Sequence, residues 1–166
     1  MARPQADSPV TLSVFDRLVD FEPHTRSEVP LSRAQSVRLL KNAVRRDLEW
    51  LLNTRRVAIP PDEGLSQVNR SLYVYGLPDF TAYTLASPKD QALLLRSLQA
   101  TIKLFEPRLA NVRITALDVV EKGSRTLRFR IDGLLVMDPA PEHVSFDTVL
   151  ELTSGQYEVK GESNAG

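Results

Sequence analysis

The stretch Phe105-Glu106-Pro107-Arg108-Leu109 sets a carboxylate and a guanidinium on either side of one proline. Proline fixes its own φ and biases the residue before it away from the α region, so the two charges flank a rigid joint. An arginine fork can hold a carboxylate through two parallel hydrogen bonds, a geometry that lysine lacks. Glu106 and Arg108 therefore either grip a partner or pair with each other and shape a corner. In both cases Glu106 beside Arg108 is expected to stay ionised, which is wrong for a general acid. The rest of the inventory narrows the chemistry further. The chain has no cysteine, which excludes disulfides, thiolate metal sites and cysteine nucleophiles, and its two histidines, His24 and His143, are too few for a multi-histidine metal site. No catalytic residue, metal or cofactor is expected.

The joint must be positioned by the elements around it. Upstream, Ser87 caps a helix with Pro88 at its first position and Asp90 at its third, both favoured there by geometry and by the helix dipole. Leu95, Leu98, Ile102 and Phe105 supply its apolar stripe, and it stops at Glu106-Pro107. An earlier helix starts at Ser32, which forms a capping box with Gln35, and ends near Thr54. Val37, Leu40, Val44, Leu48, Leu51 and Leu52 form its core stripe, with Trp50 at the core edge. Residues 11–20 carry Leu12, Phe15, Leu18 and Val19 at helical spacing, a segment too short to hold unless it docks on its own domain or in a partner's groove. Residues 55–87 are long for a structureless loop and should hide short elements. Within them Gly76 and Pro78 mark a turn, and Tyr73 and Tyr75 either pack inward or meet a partner.

Downstream of the joint the period changes to two. Residues 111–121 alternate in part, Lys122-Gly123 turns, and in residues 126–137 Leu127, Phe129 and Ile131 alternate with polar neighbours. After Gly133 the run Leu134-Leu135-Val136-Met137 is apolar on both faces, so that strand is either central or covered by another subunit. Val144, Phe146, Thr148, Leu150 and Leu152 mark a further strand, and Ser154-Gly155 turns into a last one over 156–160. The expected fold is α+β: N-terminal helices packed on a small, mostly antiparallel C-terminal sheet with an exposed edge strand. Residues 1–10 are expected to be disordered, 11–160 to form a single domain, and 161–166 to be a tail.

The formal net charge is zero, but the charges are segregated. Residues 33–56 hold seven bases against two acids, and residues 138–166 hold six acids against one base. Such a chain suits docking between partners of opposite charge. Nucleic-acid binding through the basic helix lacks any accompanying aromatic or glycine-rich pattern. No apolar run is long enough to span a membrane, and the polar start lacks a signal-peptide layout, so a cytoplasmic protein is expected.

Four stretches together resemble one family: Phe15-Asp16-Arg17-Leu18, residues 44–55 (VRRDLEWLLNTR), Tyr75-Gly76-Leu77-Pro78-Asp79 and Phe105-Glu106-Pro107-Arg108-Leu109. They are similar to TssE, the baseplate subunit of the bacterial type VI secretion system, a family related to the wedge proteins of contractile phage tails and often labelled lysozyme-like. The resemblance covers about residues 10–160. It implies a non-enzymatic, single-domain baseplate-wedge subunit, assembled in the cytoplasm at the inner face of the cell envelope. Its implied partners are other wedge subunits (TssF, TssG and TssK-like proteins) and sheath subunits joined by strand addition, with neither nucleic acid nor membrane insertion. The family's Glu-Pro-Arg motif maps onto Glu106, Pro107 and Arg108, and the other matched stretches add Tyr75, Asp79, Phe15 and Leu18 as partner-binding candidates. The lysozyme-like label raises one alternative, glycoside hydrolysis of peptidoglycan. That chemistry needs two carboxylates roughly 5–9.5 Å apart, one with a raised pKa. Glu49, Asp79 and Glu106 are available, and no spacing singles out a pair.

Overall fold

The computed structural model describes residues 8–19, 30–80, 82–85, 87–117, 126–151 and 155–161. In chain order these form α1 (Val14–Leu18), α2 (Arg33–Asn53), two 3-10 turns (Val68–Arg70 and Leu72–Val74), α3 (Pro88–Phe105), and strands β1 (Leu109–Ala116), β2 (Thr126–Leu135), β3 (Glu142–Glu151) and β4 (Gln156–Val159). The strands make one antiparallel sheet in the order β1-β2-β3-β4, giving the expected α+β arrangement. The turn at Lys122-Gly123, the loop over 20–29, residues 1–7 and residues 162–166 lie outside the described residues.

Both long helices begin where their caps require. The Ser32 hydroxyl accepts from the Gln35 N–H while the Gln35 side chain accepts from the Ser32 N–H, and Ser87 accepts from the Asp90 N–H with Pro88 following it. Each such cap is worth about 1 kcal/mol. α3 lies over β1 and α2 over β4, on the same sheet face, and the two helices also touch each other. Between helices and sheet Leu48, Leu98, Ile102, Leu127, Phe129 and Ile131 are fully buried. Each contributes about 1.5–3 kcal/mol relative to exposure. Two details depart from the expected stripes. On α3 the buried positions are Leu94, Leu98, Thr101 and Ile102, while Leu95 and Phe105 only flank the core. On α2, Ser36 and Ala43 are buried and Val37 is half-buried. Each helix packs against both the sheet and its neighbour, which rotates the buried arc away from the most apolar line.

β2 is central, as the doubly apolar run suggested, with β1 and β3 on its two sides. Gly133 is explained by β1. Two residues of that strand, Asn111 and Val112, stand opposite Gly133, and Asn111 has φ 54°. At this bulge the Ala110 carbonyl would lie 3.3 Å from any Cβ at Gly133. The segregated charges partly neutralise each other across the fold: Lys41 on α2 pairs with Glu142 on β3 at 2.7 Å, and Arg33 donates to the Asp138 carbonyl at 2.7 Å.

The long connection between α2 and α3 is pinned at its middle. Leu77 donates its N–H to the Thr54 carbonyl (2.8 Å) and accepts at its own carbonyl from the Arg56 N–H (2.8 Å). This lays Gly76 against the end of α2. Gly76 has φ 92°, and a Cβ there would meet the Thr54 carbonyl oxygen at 2.3 Å. Glycine is thus required twice, by its dihedral and by the approach of backbone. Gly76→Ala is expected to lower stability by about 2–3 kcal/mol, since neither strain can relax alone. Denaturant titration checks this: the midpoint should fall at unchanged slope, and a midpoint equal to the parent's would refute the pinned geometry.

Candidate functional site

α3 ends at Phe105, and Glu106 takes the cap position with φ −120° and ψ 72°, its N–H still donating to the Ile102 carbonyl (2.8 Å). Its carbonyl then accepts from Leu109 N–H (3.1 Å), so residues 106–109 form a tight corner that delivers the chain into β1. The corner turns the Glu106 side chain inward, leaving the residue 3% exposed, while Pro107 lies on the surface.

A carboxylate so buried needs partners, and Arg108 supplies them. Its Nε donates to Glu106 Oε1 at 2.6 Å and its Nη2 to Oε2 at 2.5 Å, the two-pronged geometry specific to arginine. The Arg108 backbone N–H adds a longer bond to Oε1 at 3.3 Å. Nη2 also donates to Asp47 Oδ2 on α2 at 2.6 Å. Asp47 in turn accepts from Arg46 Nε and Nη2 at its other oxygen (3.0 and 2.8 Å), and Arg46 Nη2 donates to Asp16 on α1 at 2.7 Å. Asp16 also receives the Ser13 hydroxyl at 2.5 Å, and Ser13 caps α1. Five charges of alternating sign, Glu106, Arg108, Asp47, Arg46 and Asp16, thus run from the helix-strand corner across α2 to α1.

The electrostatics follow from this order. Burial works against the charge on Arg108, but the hydrogen bonds and charges of Glu106 and then Asp47 outweigh it, so its pKa lies above the usual guanidinium value. Asp16 is opposed by burial too, yet its bonds to Ser13 and Arg46 and the charge of Arg46 hold its pKa below the carboxylate norm. The Arg46 guanidinium lies 4.9 Å from the centroid of the Trp50 ring and 5.3 Å from that of Phe15, and these rings meet edge-on at 6.3 Å. Such cation–π contacts add about 0.5–1 kcal/mol each at exposed sites.

Around this relay is a groove of about 300 Å³ lined by Ser13, Phe15, Asp47, Trp50, Leu51, Tyr75, Phe105, Glu106 and Arg108. Tyr75 stands edge-on to Phe105 at 5.1 Å. Burial first, and then the charges of Asp47 and Glu106, raise its pKa, so its phenol stays protonated. Tyr73 is the outward one of the two, its hydroxyl donating to the Ile59 carbonyl at 3.1 Å. The structure therefore brings four of the candidate residues, Glu106, Arg108, Tyr75 and Phe15, to one groove. Pro107 and Leu18 are on the surface, Leu18 at 77% exposure. Asp79 is elsewhere: it lines a cleft of about 850 Å³ between the end of α2, residues 77–80 and the β3–β4 hairpin. Sequence reasoning left out Asp47, Arg46 and Asp16 as site residues. All three stand within stretches matched by the resemblance, but no spacing rule links positions that far apart along the chain.

The arrangement is poorly suited to acid–base catalysis. Both oxygens of Glu106 are held by one guanidinium, and Asp47 lies between two, so neither carboxylate is set up to carry a proton at neutral pH. Among the described residues no group of three or more histidine, aspartate or glutamate side chains could hold a metal ion, and no helix is long and apolar enough to cross a membrane.

Residues 38–140, more than half of the chain, match the family model described as baseplate wedge protein gp25. A search of curated proteins found no match. The matched span runs from α2 to just beyond β2, so it includes Asp47, Glu106 and Arg108 and leaves out α1.

Arg108→Met should cost about 3–5 kcal/mol, because it strands the Glu106 carboxylate in the interior, whereas Arg108→Lys should cost about 1–3 kcal/mol by losing the fork. Equal losses for the two variants in denaturant titrations would contradict the two-pronged pairing. The lowered pKa of Asp16 gives a separate pH signature. Because its folded value lies below the ordinary 3.8, its contribution is fully present above that value and is lost as the pH falls through the folded one. Trp50 is the single tryptophan, so its fluorescence reports whether α1 stays docked. The signal should change in acid and should already be changed at neutral pH in Asp16→Asn. A wild-type signal that stays flat through that acid range would show that Asp16 does not hold α1.

Proposed function

We propose that this chain, which belongs to the baseplate wedge protein gp25 family, is a non-enzymatic structural subunit of a type VI secretion baseplate wedge. In this reading it holds TssF-, TssG- and TssK-like partners together and offers a docking and initiation platform to the contractile sheath. It does so in the cytoplasm, at the inner face of the cell envelope. The observation that carries the reading is the pairing of Glu106 with Arg108, a fixed and directional contact at the joint of helices and sheet. Because that pair is satisfied within the chain, the partner grips the corner it shapes: Pro107 on the surface, Tyr75 in the groove, and Phe15 and Leu18 on α1. Aromatic side chains that are large, stiff and partly exposed are the residue types that dominate interface energies. Asp79, on the separate cleft, serves a second contact. Sheath subunits join by adding a strand to the sheet.

Glycoside hydrolysis is the weaker reading, since Glu106 has no proton to give. Purified protein should leave peptidoglycan intact, and turnover abolished by Glu106→Gln would reverse that assignment.

The direct test is co-expression with the neighbouring open reading frames followed by mass measurement of the complex. Leu18→Asp is the informative variant, because an exposed position should change the stability of the lone subunit by no more than about 0.5 kcal/mol. Burying a carboxylate in the interface should weaken partner capture roughly 30-fold, about 2 kcal/mol. Normal co-purification of Leu18→Asp would remove α1 from the interface. A wild-type chain that stays monomeric beside intact partners would remove the wedge role itself.

A further inference from the structure

The two edges of the sheet differ in what occupies them. Lys160 donates its N–H to the Asp147 carbonyl at 2.8 Å, so by the alternation of an antiparallel ladder Tyr157 and Val159 direct their backbone groups away from β3. Those groups are already engaged by α2. The Asn53 side-chain amide donates to the Tyr157 carbonyl and accepts from the Tyr157 N–H, both at 2.8 Å, reproducing the pair of bonds a neighbouring strand would make. Arg45 donates to the Val159 carbonyl at 3.4 Å. The edge of β4 is closed.

On the opposite side, Leu117 N–H donates to the Arg128 carbonyl at 2.9 Å. Together with the facing pairs Thr115–Arg130 and Arg113–Asp132, this turns the N–H and C=O of Ile114 and Ala116 away from β2. Gln99 on α3 takes the Val112 carbonyl at 2.7 Å, next to the bulge. Past that point nothing among the described residues bonds to the outward groups of Ile114 and Ala116. Their side chains lie at the margin of the core together with Leu95, half-buried on the helix side. Arg113 and Thr115 point to the other face and are exposed, and Arg113 has no ion-pair partner among the described residues.

We propose that the β1 edge at Ile114–Ala116 accepts one extended strand of a partner chain in which apolar residues alternate with acidic ones. Its apolar side chains complete the cover over Ile114, Ala116 and Leu95, and its acidic ones lie beside Arg113 on the outer face. The proposal deepens the sheath-docking part of the function above and rests on it for the partner's biological identity, while the edge chemistry can be measured on the chain alone.

The probe is a short fluorescent peptide of alternating valine and glutamate, compared with its valine–lysine counterpart, added to the full chain. The glutamate peptide should bind about tenfold more tightly, and Arg113→Glu, an exposed change that keeps the fold, should reverse the preference. Ala116→Pro removes one outward N–H at an edge position where proline is tolerated and should weaken binding by about tenfold or more. Amide exchange at Ile114 and Ala116 should slow on binding, with Tyr157 protected throughout. Absent binding, a preference untouched by Arg113→Glu, new protection at β4 instead of β1, or self-association through β1 would each overturn the proposal. Peptide binding as described, combined with no capture of wedge or sheath partners in co-expression, would leave the edge assignment standing and remove the baseplate assignment alone.

Discussion

The contact on which the rest of the structure depends is the Arg108 guanidinium, divided between Glu106 and Asp47. Burying a lone carboxylate costs several kcal/mol, and Glu106 is tolerated in the interior only because both of its oxygens are bonded. That requirement fixes the side chain of Arg108, which sets where the chain leaves α3 and enters β1. The remaining hydrogen on the same nitrogen reaches α2, so the corner and the long helix are joined by one group. Through Asp47 and Arg46 the linkage continues to α1, whose apolar residues are otherwise largely exposed.

This arrangement explains why a site of dense charge is structural in character. Catalytic carboxylates are held apart from full compensation so that a proton can move. Here the charges alternate along a chain of short bonds, and what they provide is rigidity and direction. The groove beside them is bounded by Phe15, Trp50, Tyr75 and Phe105, so a stiff polar scaffold supports an aromatic wall. The gp25 wedge family to which the chain belongs is consistent with that character.

The sheet repeats the pattern of one side committed and one side open. Asn53 and Arg45 use α2 to close β4, which protects a four-residue strand from unwanted pairing. β1 is guarded only near its start, by the bulge at Asn111 and by Gln99. Gly133 belongs to the same device, because the bulge draws the Ala110 carbonyl towards it and leaves no room for a side chain.

Much of the fold was legible in the residues themselves, since the signals are local. Ser32 with Gln35, and Ser87 with Pro88 and Asp90, mark helix starts through bonds that span three positions. Pro107 marks the stop, and period-two alternation marks β2 and β3. The pairing of Glu106 with Arg108 was within reach for the same reason, being two residues apart. The third partner, Asp47, was not, because it is 61 positions from Arg108 and only the packing of α2 beside the corner brings them to 2.6 Å. The same holds for the exact buried arc of α3, the gathering of Tyr75 and Phe15 at one groove while Asp79 lines another, and the choice of which edge is closed. Asn53 and Tyr157 meet only after the sheet and helix have assembled. Local bonding and periodicity are written in neighbouring residues, whereas burial of a charge and closure of an edge are settled by which surfaces the folded chain presses together.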